Sequence, residues 1–496
     1  MSLSEFLDSP WKKSHDGYAG AVFGVRPAPE FATSEVVVAS LYRACGFEGY
    51  TESEVPKAGR DFDKTTKATK SSKDEPGQIK LDTWRTVLHS VLESPKRKNQ
   101  SSKRFLQLCP VVPDVALYSG SPRLAGSSWN PGALVQRMIV MGCDSRDAAE
   151  GLWQRLFDAL SISESDDLWA RWLNDEFHRR KDNTNQWKKA PLQLHDIDFP
   201  DAEKLKLRYP AQQFVRDLDA VIAAKGRMTR RQWISILEAV LRLGSAMHVI
   251  WLCSVNGKLW ARAKDILNGG SAAPTIEEIS ESYISGERRY LAYGNAATAF
   301  VKQYASDYLV ARIGLNLVLW ILEDLKIEVP TLRSCVDIRV FFELLVKHRE
   351  RIVNEKLWAR YSNLTESEAK TISCRKGVGS NIEEFINHTL RKRETAADNL
   401  RGYDQGYILK KRGQAESGAL TVSLGPVAVL ALVHSCLKEA AGPRSVRKLC
   451  DHIAAYGIDV DLDDVANSEL GKNLRMLGLV LDSPDAESGM LLVPPF

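Results

Sequence analysis

The sequence predicts a mainly α fold: a multi-helix core with a C-terminal winged-helix-like domain and a small N-terminal unit. Three observations carry this expectation. From about residue 105 onward, apolar residues recur at helical spacing. Ser/Thr-x-x-Glu signals mark helix starts. The last part of the chain, 424–496, reads as three helices followed by two short apolar strands around a polar turn. The 496 residues are 44% hydrophobic and 26% charged, an ordinary globular balance with room for several domains. We divide them into a small N-terminal unit (1–50), a basic flexible segment with one helix (51–104), a helical core (105–400), and a basic connector with the winged-helix-like domain (401–496).

Taken in order, 32–47 has helical periodicity, and a Gly-containing strand is expected before it at 18–25. Residues 51–80 carry Lys57, Arg60, Lys64, Lys67, Lys70, Lys73 and Lys80 among small polar residues. With almost nothing apolar to bury, this stretch is expected to be mobile. A helix follows at 81–92, then a second basic polar stretch at 94–104. Pro131-Gly132 leads into the apolar run 134–141, and Ser161-x-x-Glu164 has capping-box spacing before 167–177. Trp153, Trp169 and Trp172 are expected to anchor a helical core, and 179–210 reads as a long polar connection. Residues 211–222 and 230–252 are strong helices. The second is apolar around most of its circumference, which places it at the centre of a bundle. Asn268-Gly269-Gly270 closes the segment that follows, Thr275-x-x-Glu278 restarts a helix, and long helices at 294–325 and 338–358 are separated at Pro330. Thr365-x-x-Glu368 is a further cap signal.

Gly425-Pro426 opens a helix at 427–440, Pro443 begins the next, and Tyr456-Gly457 ends it. A third helix is expected at 462–477, with strands at 478–481 and 490–493. This unit is acidic where a DNA reader would face phosphate: Asp459, Asp461, Asp463, Asp464 and Glu469 oppose only Lys472 and Arg475, and Asp482, Asp485 and Glu487 follow in the turn. It is therefore expected to dock a protein or close the fold. If it touches DNA, Arg444, Arg447 and Lys448 are the better candidates.

Lys plus Arg total 67 against 63 Asp plus Glu, too even for a polybasic binder, so any nucleic-acid contact needs a local patch. The best such patch is Arg375, Lys376, Arg391, Lys392, Arg393, Arg401, Lys410, Lys411 and Arg412, interleaved with Phe385, Tyr403 and Tyr407. Basic groups beside aromatic rings suit backbone tracking and base stacking. The plainer reading is a solvated helix face and loop balanced by Glu383, Glu384, Glu394 and Asp398.

The eight cysteines form no C-x-x-C pair and several sit in apolar runs, as buried thiols in a reducing compartment do. The first residues lack the basic and apolar regions of a signal peptide, and the longest apolar stretch, 308–322, contains Arg312 and Asn316. The expectation is a cytoplasmic protein with no membrane partner. Among nine histidines there is no H-E-x-x-H, and His248 and His434 read as core histidines with one hydrogen bond each. His195, Asp196, Asp198 and Asp201 could together hold a divalent ion. Lys376-Gly377-Val378-Gly379-Ser380 lacks the Walker order and reads as a turn, and Asp324-Leu325-Lys326 falls at a helix end rather than on a nuclease strand. No cysteine or serine has the local context of a nucleophile. No cofactor, metal or catalytic residue is assigned, and the balance leans away from an enzyme.

The run from Gly402 to Gly413 (Gly-Tyr-Asp-Gln-Gly-Tyr-Ile-Leu-Lys-Lys-Arg-Gly), then Leu424-Gly425-Pro426, the Leu-Gly-Leu-Val of 477–480, Asp485-Ala486 and Pro494-Pro495-Phe496 resemble uncharacterised proteins of bacterial anti-phage defence islands. The resemblance spans about the last hundred residues. It implies a non-enzymatic subunit acting beside an ATPase, methyltransferase or nuclease. The expected function is thus a DNA-associated or adaptor subunit of a multi-protein prokaryotic defence system. The alternatives are a divergent metal-dependent nuclease using the His195 group, and a scaffold without nucleic acid.

Overall fold

A computed structural model of the chain describes residues 3–8, 10, 14–25, 35–67, 79–94, 106–120, 124, 129–180, 185–193, 210–270, 272–284, 289–354, 378–390, 406–411, 418–438, 444–463, 465–481 and 490–496. They form a mainly helical structure with short strands. Helix α1 (Leu3–Asp8) and α2 (Asp16–Ala19) precede α3 (Val36–Gly46). Then come α4 (Val55–Lys67), α5 (Leu81–Thr86, continued by a π turn over Val87–Leu92), α6 (Pro131–Gly142), α7 (Arg146–Leu160) and α8 (Leu168–Arg179). The centre is built from α9 (Ala211–Ala223), α10 (Arg230–Leu267), α11 (Ile276–Glu278), α12 (Thr298–Asp324), α13 (Cys335–Asn354) and α14 (Val378–Thr389).

The spine is α10. Thr229 starts it with the reciprocal cap that its sequence allows, the Thr229 hydroxyl on the Gln232 amide and the Gln232 side chain on the Thr229 amide. Its apolar circumference lets it pack against α3, α6, α9, α12, α13 and α14 at once. Gly314 permits the close approach of α12, since a Cβ there would lie 2.4 Å from the Trp260 indole. By length and composition α10 and α12 could each cross a bilayer, but 100% and 78% of their apolar windows are buried against the rest of the chain. Arg230 is fully buried. It donates to the carbonyls of Val111, Ala159 and Leu160 and to Tyr42, and it pairs with Asp166.

The C-terminal unit follows from β2 (Leu409–Lys411) and β3 (Leu420–Val422), an antiparallel pair. It comprises α15 (Pro426–Leu437), α16 (Val446–Ala454), α17 (Glu469–Met476) and the hairpin of β5 (Val480–Leu481) with β6 (Leu491–Leu492). Ser445 bridges to Leu491, so a short extended segment between α15 and α16 joins the hairpin. The order of three helices and then a hairpin is the one the sequence predicts, and the bridge at Ser445 is an addition to it. The unit is bound into the rest by β4 (Ile458–Asp459), which pairs in parallel with β1 (Leu291–Ala292). One continuous apolar cluster runs from Leu3 to Leu492.

Several expectations need correction. Residues 18–25 are not a strand. His15 caps the short α2, and the segment beyond it is fixed in the groove of α10 and α12 by Tyr18 on Asn256, Asn256 on the Phe23 carbonyl and Tyr308 on the Val25 carbonyl. Within 51–80, residues Val55–Lys67 form α4, because Val55, Phe62 and Thr66 make a narrow inward stripe that the many lysines obscure. The cap of α8 is Asp167, not Ser161. Gly379 and Ser380 lie in α14 rather than in a turn. The third C-terminal helix begins at Glu469, not 462, because Ile458 and Asp459 are drawn into the pairing with Leu291 and Ala292. His248 is completely buried, and neither ring nitrogen has a hydrogen-bond partner among the described residues. His434 makes a hydrogen-bond contact with the Ala220 carbonyl at 3.3 Å, and its ring lies 4.8 Å from that of Phe496.

Candidate functional site

A cleft of about 370 Å³ lies where the C-terminal unit meets α6, α7 and α9. Three helices present polar groups to it from faces that are otherwise apolar. On α9 the inward residues are Phe214, Leu218 and Val221, and Asp217 stands among them with no exposure. On α15, Val429, Leu432 and Val433 are followed by Cys436, and on α16, Leu449 and Ile453 flank His452. Such placements are costly unless the groups satisfy one another, and they do.

His452 Nε2 lies 2.9 Å from Asp217 Oδ1 and 3.1 Å from Oδ2. The Tyr456 hydroxyl donates to Asp217 Oδ2 at 2.7 Å, and the Gln213 amide donates to Oδ1 at 2.9 Å. Cys436 lines the same cleft as His452. Burial alone would pull the His452 pKa down, but the Asp217 charge and hydrogen bond, with Cys436 adding, outweigh it and raise the value to about 10. The raised value favours the protonated form of the His452 ring beside Asp217.

Around this floor stand cations from both halves of the fold. Arg155 of α7 and Lys438 beyond α15 both hold Asp219, at 2.9 Å and 2.7 Å. Burial favours the neutral form of Asp219, but these two partners keep its pKa below the ordinary value. Arg216, exposed on α9, and Arg444, half-buried before α16, line the same cleft without an ion pair among the described residues. A second cleft, of about 350 Å³, is lined by Ser40, Arg43, Glu52 and Asn130. Its polar groups are spent on each other: Glu52 takes Arg43 at 2.7 Å and Ser40 at 2.6 Å, and Asn130 caps α6.

Of the basic patch expected from the sequence, Arg375, Lys376, Arg391, Lys392, Arg393, Arg401 and Arg412 lie outside the described residues, as does Tyr403. Lys411 lies in β2, and its side chain is outside the description. Lys410 pairs with Glu469 at the start of α17 and sits 4.8 Å from the centre of the Tyr407 ring. Phe385 cannot stack on a base: it is fully buried, near Trp129. His195, Asp196, Asp198 and Asp201 are outside the description, and among the described residues no group of three His, Cys, Asp or Glu is placed to hold a metal. Arg444, named from the sequence as a DNA candidate, does reach the cleft, while Arg447 and Lys448 are exposed on α16. Sequence reasoning missed Asp217, Cys436 and His452. The available signal was a polar residue on the apolar face of each helix.

No protein-family model matches the chain, and no curated protein matches it.

Proposed function

We propose that the chain is a cytoplasmic, nucleic-acid-associated adaptor that holds a phosphate-bearing strand or strand end at this cleft and docks a protein partner through its C-terminal unit. The observation that carries the reading is the pair of guanidiniums without an ion pair among the described residues, Arg216 from the core and Arg444 from the C-terminal unit, lining one cleft. Arginine in this setting suits phosphate through forked hydrogen bonds. A volume of about 370 Å³ is that of a small-molecule site, so it takes one nucleotide-sized group rather than a duplex. Docking is supported by the apolar Met476 and Leu481, 70% and 62% exposed on α17 and β5. Membership of an anti-phage defence assembly rests on the resemblance of the last hundred residues. The C-terminal helix order supports a winged-helix-like module.

The test is titration of the full chain into labelled single-stranded and duplex DNA across a salt series. Binding should weaken steeply with salt, with single strands preferred. Joint charge reversal of Arg216 and Arg444 should flatten the log–log slope by about 1 to 2. Flat, weak binding by the wild-type chain, or a slope unchanged by the reversal, refutes the reading.

A further inference from the structure

We propose that the cleft selects a terminal phosphomonoester, the group on a phosphorylated strand end or a free mononucleotide, over the phosphodiester inside a strand. This selection rests on the phosphate-binding reading of the same cleft and narrows it to one kind of phosphate. Shape favours it first. Gln213 and Asp217, both buried, form the floor, so the cleft ends inside the fold. A strand end can enter and stop there. An internal phosphate needs room for chain on both sides, more than a cleft of about 370 Å³ offers.

Charge favours the same choice. Asp217 is matched by His452 at 2.9 Å, and Asp219 is shared by Arg155 at 2.9 Å and Lys438 at 2.7 Å. Neither carboxylate is left to repel an anion. Asp144, exposed in the same lining, balances the one extra cation at Asp219. Arg216 and Arg444 remain, two positive charges with no ion pair among the described residues. A phosphomonoester loses its second proton at about pH 6 and carries nearly two negative charges at neutral pH, whereas a diester carries one. The oxygens agree. Each guanidinium is a fork that takes oxygens in pairs, and the two forks come from opposite sides of the cleft, α9 and the segment before α16. A monoester has three terminal oxygens to divide between them, while a diester has two, enough for one fork.

The test uses the full chain and one single-stranded oligonucleotide, labelled at an internal base and made with a 5′-phosphate, with a 3′-phosphate, or with hydroxyls at both ends. Titrated at one salt concentration, a phosphorylated form should bind about tenfold tighter than the hydroxyl-ended form. Arg216→Gln combined with Arg444→Gln should bring the two within about twofold. Calorimetric titration with adenosine 5′-monophosphate and with its methyl ester, a diester, needs only the wild-type chain and decides even if the double variant fails to fold: the monoester should bind about tenfold tighter. A mononucleotide as tight as the phosphorylated strand identifies the free nucleotide as the source of the group, and a tighter strand identifies the strand end. Equal binding of all three strands with a steep salt dependence, or equal binding of the nucleotide and its methyl ester, overturns the selection and leaves the strand reading standing. Preferred binding of the mononucleotide by a chain that holds no strand upholds the selection and refutes the strand reading. Binding of none of these probes overturns both.

Discussion

Replacing His452 with glutamine should cost most at low pH and progressively less as pH rises. Folding buries the imidazole, which alone would weaken its hold on the proton, but Asp217 at 2.9 Å and Cys436 reverse this and carry the pKa from 6.5 to about 10. A group that binds its proton more tightly when folded stabilises the fold fully below its unfolded pKa. It gives that stability up as pH climbs through the folded value. The window here is therefore about pH 6.5 to about pH 10. At about 1.4 kcal/mol per unit, the whole shift corresponds to about 5 kcal/mol, of which about 4 kcal/mol is given up between the two ends of the window. Breaking a buried pair from one side costs about 3–5 kcal/mol, the same size. Urea unfolding of the wild-type and His452→Gln chains at both ends of the window measures it: the gap between them should shrink by about 4 kcal/mol as pH rises. An NMR titration of the His452 ring is the direct companion. A gap that stays constant, or a ring that titrates near 6.5, would refute the pairing argument.

Three further outcomes test the packing. Arg230→Ala should lower stability by about 3–5 kcal/mol in urea unfolding, because it strands the Tyr42 hydroxyl and three buried carbonyls and leaves Asp166 with Lys225 as its one remaining cation among the described residues. Gly314→Ala should lower the melting temperature, at a cost of about 1–3 kcal/mol, since the new methyl meets Trp260 at 2.4 Å and the indole is held between two helices. His248→Leu should do the opposite. Burial pushes that ring down to a pKa of about 3, with Arg137 adding, and its nitrogens have no partner among the described residues, so an apolar replacement should stabilise by about 1–3 kcal/mol in thermal melts.

The sequence exposed what is periodic and local. The apolar runs of α9, α10 and α12 are long enough for their burial to be written in the spacing, and Thr275 is a cap whose partner lies three residues away. What failed was decided at a distance. Leu462 and Val465 keep helical spacing, yet the chain before them is pulled straight by Leu291, far back in the sequence. In α4 a stripe of Val55, Phe62 and Thr66 sufficed, because Tyr118 and Phe177 cover it: Phe62 stacks on Tyr118 at 4.2 Å. The site was hidden for the same reason. Asp217 and His452 are 235 positions apart, and no local spacing rule joins them. Each was nonetheless visible singly, as a charge on a stripe of Phe, Leu, Val or Ile.

That separation has a consequence during synthesis. Asp217 leaves the ribosome 235 residues before the imidazole that neutralises it, and Leu291 likewise waits for Ile458. At 5–20 residues per second the delay is roughly 12–47 s. Through that interval the nascent chain carries Asp217 on α9 without the imidazole that pairs with it, so the face of α9 that receives α16 should stay unfinished. The closing of the helical core is thus timed by the emergence of α16, and a chain cut short before residue 452 should be a substrate for chaperones and proteases rather than a stable fragment.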